Sequence, residues 1–514
     1  MHACRRHVAS ALGALLLLAP AGAAQLHKDE IRGFQFAPPR DYDAVALSPS
    51  EHLQVAKYQS SQPDYVGEQG YTALFRQLVV MYRPLDAFDE DDGMSPEEEM
   101  WELVDGFCGR GDYSESRARI ARTRCTERTY ELQDQDVGYV GWVLPQDDGV
   151  FAIVGRAGVD DIRDASRDFG RAARSFKRIE KIDLEAREAE LAQLSEQERF
   201  LREQIDKLPP GWDHLRTDRY LFLYNAEKNF VKDLAGQIEA MRDEYERLWP
   251  PSEPIEAVSI VRACNSFEEY LGYGGRRGTG GYWSSRNKEL VFFDMAPRTE
   301  TLCVARHEAF HQYIYYFYGE LSPHSWYNEG HGDYFSGADL TRSNRIKRYD
   351  NAPGGFDRSL LVKDMARLAQ QGKSVEEGAA APLRELLRYH QPEYYAANRQ
   401  RRMGFYPQGW AFVHMLREER RLEDEWETIL DDYLVNLLAA REEIAVKVME
   451  KARREAEKKQ EGSSAEMSDE PSDYYGDADE RRVQDLAYEK TFGDWTDEQW
   501  EELDEFFLEY CETL

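Results

Sequence analysis

Three side chains in one short stretch have the types and spacing to hold a metal ion and activate water. In Thr301 to Asp333, reading TLCVARHEAFHQYIYYFYGELSPHSWYNEGHGD, residues His307, Glu308 and His311 form H-E-x-x-H. A helix places residues four apart on one face, so both imidazoles reach one ion. Random placement gives this pattern roughly 0.03 times in a chain of this length and composition. A catalytic zinc site takes three protein ligands and keeps one position open for water. Glu329, in Asn328-Glu329-Gly330 after the short loop Leu321-Ser322-Pro323, supplies the third ligand from a second helix facing the first. Asp333 lies one turn beyond Glu329, placed to orient a ligand histidine through its other ring nitrogen.

The elements that must present these groups follow from the local pattern. Pro297, Thr299 and Thr301 precede an apolar run that continues to Tyr318, where Gly319 stops it. Leu302, Ala305, Ala309, Phe310 and Ile314 pack on one side while His307 and His311 share another. Upstream, Tyr220 to Tyr224 reads as a strand, Ala226 to Leu248 as an amphipathic helix, and Ala257 to Arg262 as a strand. A turn of helix over Ser266 to Leu271 and the glycine-rich Gly274 to Gly281 follow. Gly281-Tyr282-Trp283 and Leu290 to Asp294 complete the set as two further strands, whose exposed edge can pair with an extended peptide.

H-E-x-x-H followed seventeen intervening residues later by the Glu of W-Y-N-E-G-H-G-D-Y resembles the gluzincin metallopeptidases. Within them it is most similar to the peptidase MA-like domains of exported bacterial proteins. The resemblance runs from about Leu215 to the C-terminus and includes Tyr406-Pro-Gln408-Gly-Trp410; it departs at His331 and Gly332, which leaves substrate preference open. It implies a mainly helical zincin-like domain with a small mixed sheet, Zn2+ on His307, His311 and Glu329, and Glu308 as general base. Relatives place a tyrosine before the corresponding helix, which makes Tyr406 the first candidate to stabilise the oxyanion. His331, two residues beyond Glu329, is the second.

Residues 1–24 have the layout of a secretory signal peptide. Arg5 and Arg6 form the basic region, Ala11 to Leu18 the apolar one, and Ala21 to Ala24 the cleavage zone. The product is expected to be secreted or periplasmic and soluble, since no later stretch reaches about 18 uninterrupted apolar residues. A net charge of −32 repels nucleic acid and anionic lipid and leaves a peptide or protein as the expected partner. Export permits disulfides, and Cys108 with Cys125 is the easiest local pair. Cys303, one turn before His307, reads as a packed helix residue.

The expected fold class is α+β multidomain. Residues 25–182 form an N-terminal α/β/α sandwich-like accessory domain, with strands at Phe34 to Phe36, Leu78 to Met81, Gly138 to Leu144 and Gly149 to Val154. Helices are expected at Pro96 to Phe107 and Ala165 to Phe176, and a short closing strand at Phe176 to Ile182. Its opening Ile31-Arg-Gly-Phe-Gln-Phe, central hairpin and closing Ser175-Phe176 are similar in pattern to the PsbP-like sandwich. The acidic run Asp89 to Asp92 reads as a solvated loop. Next come a helical linker over 183–210, read as one helix from Leu184 to Lys207, the catalytic domain over 211–440, and a charged low-complexity segment over 441–480. A C-terminal helical segment, 481–514, is expected to dock on the catalytic domain. Two other readings stay open on sequence grounds: a non-catalytic envelope or surface binding protein with a structural zinc site, and metal-assisted hydrolysis of a non-peptide bond.

Overall fold

The structure is a computed structural model that describes residues 26–67, 72–88, 93–120, 123–319, 321–341, 343–349, 358–400, 404–459 and 475–514, some side chains at helix ends excepted. Residues 1–25, with the expected signal peptide, the Asp89–Asp92 run and residues 460–474 of the charged segment lie outside the described residues. The architecture is α+β and multidomain: a sheet-rich N-terminal part is followed by a largely helical part with a small mixed sheet. The chain divides into two compact units, one running to Leu194 with Pro209–Gly211, the other comprising Ser195–Leu208 and Trp212–Leu514. No helix among the described residues is long and apolar enough to cross a membrane.

The first unit is built on a seven-stranded antiparallel sheet. Its strand order is Tyr42–Ala44, Gln54–Val66, Thr72–Pro84, Gly149–Gly158, Val137–Gln146, Thr123–Leu132 and Tyr113–Ile120. Side chains alternate across its central strands, because successive residues of a strand point to opposite faces. Leu78, Val80, Phe151 and Ile153 pack beneath the helix Ile162–Arg174, whereas Val79, Met81, Ala152 and Val154 pack beneath the helix Pro96–Phe107. This gives the helix, sheet, helix layering expected from the pattern. The helix Pro96–Phe107 begins on a Ser95–Glu98 capping box, a signal readable directly in the sequence.

Two sequence expectations for this part are corrected, and one hairpin is added. The strands Tyr113–Ile120 and Thr123–Leu132 were invisible to hydrophobic alternation because the first is almost wholly exposed and rich in charge. Cys108 and Cys125 are both free thiols. Cys108 packs in the layer under Pro96–Phe107 and Cys125 against the opposite layer, so the sheet separates them. The helix expected over Leu184 to Lys207 is two helices, Leu184–Leu191 and Glu196–Asp206, with Ser195 capping the second by accepting from the Glu198 N–H.

The second unit holds a five-stranded mixed sheet in the order Asp213–Arg216, Tyr220–Tyr224, Ser259–Cys264, Glu289–Phe293, Gly281–Ser284. The three inner strands are parallel, and Gly281–Ser284 is an antiparallel edge. Thr301 locks the motif helix Arg298–Phe317 to this sheet: its hydroxyl accepts the Met295 N–H at 2.9 Å and donates to the Phe293 carbonyl at 3.0 Å. The helix ends where Gly319 takes φ +67°, a conformation glycine adopts without cost. Around it one continuous core gathers Phe310, Trp326, Phe335, Trp410 and Phe412. The C-terminal helices Asp477–Phe492 and Asp497–Thr513 belong to that core through Tyr488, Trp500, Leu503 and Phe507, with Phe507 set edge-on to Phe412 at 5.9 Å. The helix starting at Ile429 runs on to Lys459, well into the charged stretch.

One buried histidine in the first unit sets a pH dependence. His27 packs against Phe34 and Phe36, with Nδ1 on the Tyr58 hydroxyl at 3.0 Å and Nε2 buried without a partner. Burial pushes its pKa down to about 4, the nearby charges of Asp29 and Arg32 acting in opposite senses. Between that value and the unfolded value near 6.5, the unfolded chain binds the proton and the folded chain does not, so stability is lost as pH falls through this window. Urea unfolding at pH 7 and pH 4 is expected to show the wild type losing on the order of 3 kcal/mol relative to His27→Phe, the equivalent of ~2.5 pKa units. A pH-independent difference between the two proteins would contradict this.

Candidate metal centre

The motif helix Arg298–Phe317 faces the helix Ser325–Ser336 across the core, and each contributes side chains to one focus. His307 Nε2 lies 2.9 Å from His311 Nε2 and 3.2 Å from Glu329 Oε2, and His311 Nε2 lies 3.5 Å from the same oxygen. The rings of His307 and His311 are nearly perpendicular, at 87°. A tetrahedral ion with bonds of about 2.0–2.2 Å spaces its ligand atoms roughly 3.3 Å apart, so this triangle has the size such an ion needs.

Both imidazoles are turned so that lone pairs face the focus. His307 Nδ1 faces Asp333 Oδ1 at 3.0 Å, and His311 Nδ1 faces Asn328 Oδ1 at 2.9 Å. Each acceptor draws the ring proton to Nδ1 in the neutral tautomer and leaves Nε2 as a donor of electrons. Asp333 is fixed in turn by Arg358, whose Nε and a terminal nitrogen donate to its two oxygens at 2.7 and 2.6 Å. Glu329 Oε1 accepts from the Tyr395 hydroxyl at 2.7 Å, which leaves Oε2 for the focus.

Electrostatics favours a cation here. Burial works to lower the His307 pKa, but hydrogen bonds to Asp333 and Glu329 outweigh it and hold it well above the ordinary value. His311 is also raised against its burial, chiefly by the charge of Glu329. Glu329 is held below the carboxylate range despite its burial, by the two histidines. A concentration of negative potential that attracts protons against desolvation attracts a divalent ion for the same reason. The donors thus fit a borderline divalent metal in chemistry and in separation, and His307, His311 and Glu329 are a group able to hold one.

Close approach of the two helices is a condition of this geometry. A Cβ at Gly332 would lie 2.9 Å from the His307 ring, so a larger residue displaces the first ligand. Arg306, beside His307 in sequence, donates to the Ser336 carbonyl at 2.7 Å and to Gln237 Oε1 at 2.6 Å, tying the end of the second helix to the first. Its guanidinium also donates to Cys303 Sγ at 3.2 Å. Cys303 is therefore occupied by helix packing.

Glu308 sits next to the focus, half-buried, with Oε2 accepting the Trp283 main-chain N–H at 2.9 Å. Trp283 lies on the edge strand Gly281–Ser284, whose other side pairs with Glu289–Phe293. The carboxylate thus lies against the edge strand of the sheet, which pairs with no further strand among the described residues.

The remaining predicted residues fall differently. Tyr406 is brought alongside Tyr395, the rings stacked at 6.0 Å and 17°. Burial, and then the charge of Glu329, push the pKa values of both phenols up, so both remain hydrogen-bond donors. His331 is not brought to the focus. It is fully buried, with Nδ1 on the Tyr327 carbonyl at 2.8 Å and Nε2 accepting from Arg417 at 2.9 Å, among the rings of Trp249, Phe310 and Phe335. Two residues along a helix is a rotation of about 200°, which takes it to the far face from Glu329. That periodicity was available in the sequence. Asn328, Arg358 and Tyr395 were missed as site residues, and only Asn328, adjacent to Glu329, carried a signal in its position.

No family model matches the chain, and no curated protein matches it. Among solved structures there is weak similarity to cyanobacterial PsbP (CyanoP) from Synechocystis sp. PCC 6803, at 13% identity, with 32% of this chain and 99% of that one covered and a TM-score of 0.23. A second weak similarity is to LpqN, a protein involved in cell envelope biogenesis of Mycobacterium tuberculosis, at 12% identity, with 28% of this chain and 82% of that one covered and a TM-score of 0.20.

Replacing Asn328 by Ala removes the acceptor that fixes His311. Chelator competition is expected to show divalent-metal affinity at this centre falling about 10- to 100-fold, the usual cost of losing such a partner. An unchanged affinity would contradict the orienting role.

Proposed function

We propose that the protein is a zinc-dependent metallopeptidase of gluzincin type, exported from the cytoplasm, that hydrolyses peptide bonds in a peptide or protein substrate. The observation that carries this reading is the convergence of His307, His311 and Glu329 with the Glu308 carboxylate beside them and against a free sheet edge. A purely structural metal site has no use for such a carboxylate. Zinc, when bound there, would lower the pKa of a water and polarise the scissile carbonyl.

The chain's own groups supply the rest. Glu308 would accept a proton from the attacking water and return it to the leaving amine. An extended substrate would add to the edge strand Gly281–Ser284 by main-chain hydrogen bonds. Tyr395 holds Glu329 in place through its outer oxygen, and Tyr406, beside it, is the phenol assigned to the developing oxyanion. Arg5, Arg6 and the run Ala11 to Leu18 support export, with the mature chain starting near Gln25.

Glu308→Gln keeps an acceptor for the Trp283 N–H and removes the base. Incubated with a mixed peptide library and followed by mass spectrometry, this variant is expected to retain its metal while cleavage falls about 10²- to 10⁴-fold. Cleavage at the wild-type rate would overturn the assignment of Glu308.

A further inference from the structure

A second set of metal-ligating side chains gathers where three segments of the second unit meet. His324 caps the start of the helix that carries Glu329, His390 precedes the helix Gln391–Gln400 that carries Tyr395, and Asp485 lies on the C-terminal helix Asp477–Phe492. One donor atom from each lies within 4.8 Å of the other two.

The surroundings hold both rings. His390 Nδ1 faces Gln484 Oε1 at 2.5 Å, an acceptor that takes the ring proton, so that Nε2 is turned to Asp485 Oδ1 at 3.1 Å. Gln484 is itself anchored, donating to the Ser322 carbonyl at 2.9 Å. His324 is fully buried, with Nδ1 on the Tyr433 hydroxyl at 2.8 Å and Nε2 without a hydrogen-bond partner. Its ring stacks on that of His390 with centroids 5.3 Å apart. Burial, and then the charge of His390, push the His324 pKa down to about 3, which keeps the imidazole neutral. A buried ring nitrogen left unpaired is costly, and a neutral imidazole facing a second imidazole and a carboxylate is the donor set that borderline divalent ions select.

We propose that His324, His390 and Asp485 form a second divalent-metal site, taking zinc or another late first-row ion. The ion would clip the start of the Glu329 helix and the start of the Tyr395 helix to the C-terminal helix. His324 is fixed by burial and His390 by its contact with Gln484, whereas Asp485 is exposed, so the site closes by the Asp485 side chain turning inward. Gln484 is the counterpart here of Asn328, an acceptor at the other nitrogen of His390, and the Tyr433 hydroxyl holds the other nitrogen of His324. This inference stands apart from the peptidase reading, since it concerns a different donor set and no reaction.

The test uses the full chain, stripped with chelator, dialysed against zinc and counted by elemental analysis. The wild type is expected to hold about two ions per chain and Asp485→Asn and His390→Gln about one, with Glu329→Gln also near one because it loses only the first site. Zinc beyond the first equivalent should raise the melting temperature of wild type and leave that of Asp485→Asn unchanged. Wild-type stoichiometry and melting response in Asp485→Asn would overturn the proposal and leave His390 and Asp485 as an ion pair, whereas one ion fewer in Asp485→Asn than in wild type upholds it whatever the first site holds. Asp485 is exposed, so its variant keeps the test decisive if His390→Gln fails to fold.

Discussion

Two imidazole nitrogens and a carboxylate oxygen facing one another inside a protein repel unless a proton or a cation lies among them. Much of the second unit is arranged around that constraint. The motif helix and the Glu329 helix must approach until Nε2 of His307 and Oε2 of Glu329 are 3.2 Å apart, and the contact is held at several points. Gly332 removes the bulk that would collide with His307, Arg306 ties the end of the Glu329 helix to the middle of the motif helix, and Arg358 anchors the carboxylate that aims the first ligand. The aromatic core around Phe310, Trp326 and Phe335 keeps the pair from separating.

Outside this pair of helices, the chain supplies what the focus cannot. The mixed sheet fixes the start of the motif helix through Thr301 and offers an edge strand to Glu308 through Trp283. The later helices return Tyr395 to the outer oxygen of Glu329. Because the C-terminal helices share the same core, the tail is part of the scaffold that holds these later segments. The His324, His390 and Asp485 cluster lies on that connection, which is why an ion there would bear on the first centre without touching it.

What was legible in the sequence was what is local or periodic. His307, Glu308 and His311 announce themselves by spacing on one helix, and Asp333 by its turn from Glu329. The strands Leu78 to Met81 and Gly149 to Val154 were visible because buried residues fill both faces. Hidden features depend on distance along the chain or on the absence of an apolar pattern. Tyr395 and Arg358 meet Glu329 and Asp333 only after long excursions, and nothing in their local sequence marks them. The hairpin Tyr113 to Leu132 is too polar and too exposed to show alternation. His331 is a different case: it is close to Glu329 in sequence, but helical periodicity sends it into the core against Arg417.

The most direct measurement is peptide-library cleavage by the purified full-length protein in three states: zinc-loaded, stripped with chelator, and reloaded. The account predicts new peptide termini in the first state, none in the second, and their return on reloading with zinc. A protein with zinc shown to be bound by His307, His311 and Glu329 that leaves the library intact would contradict it.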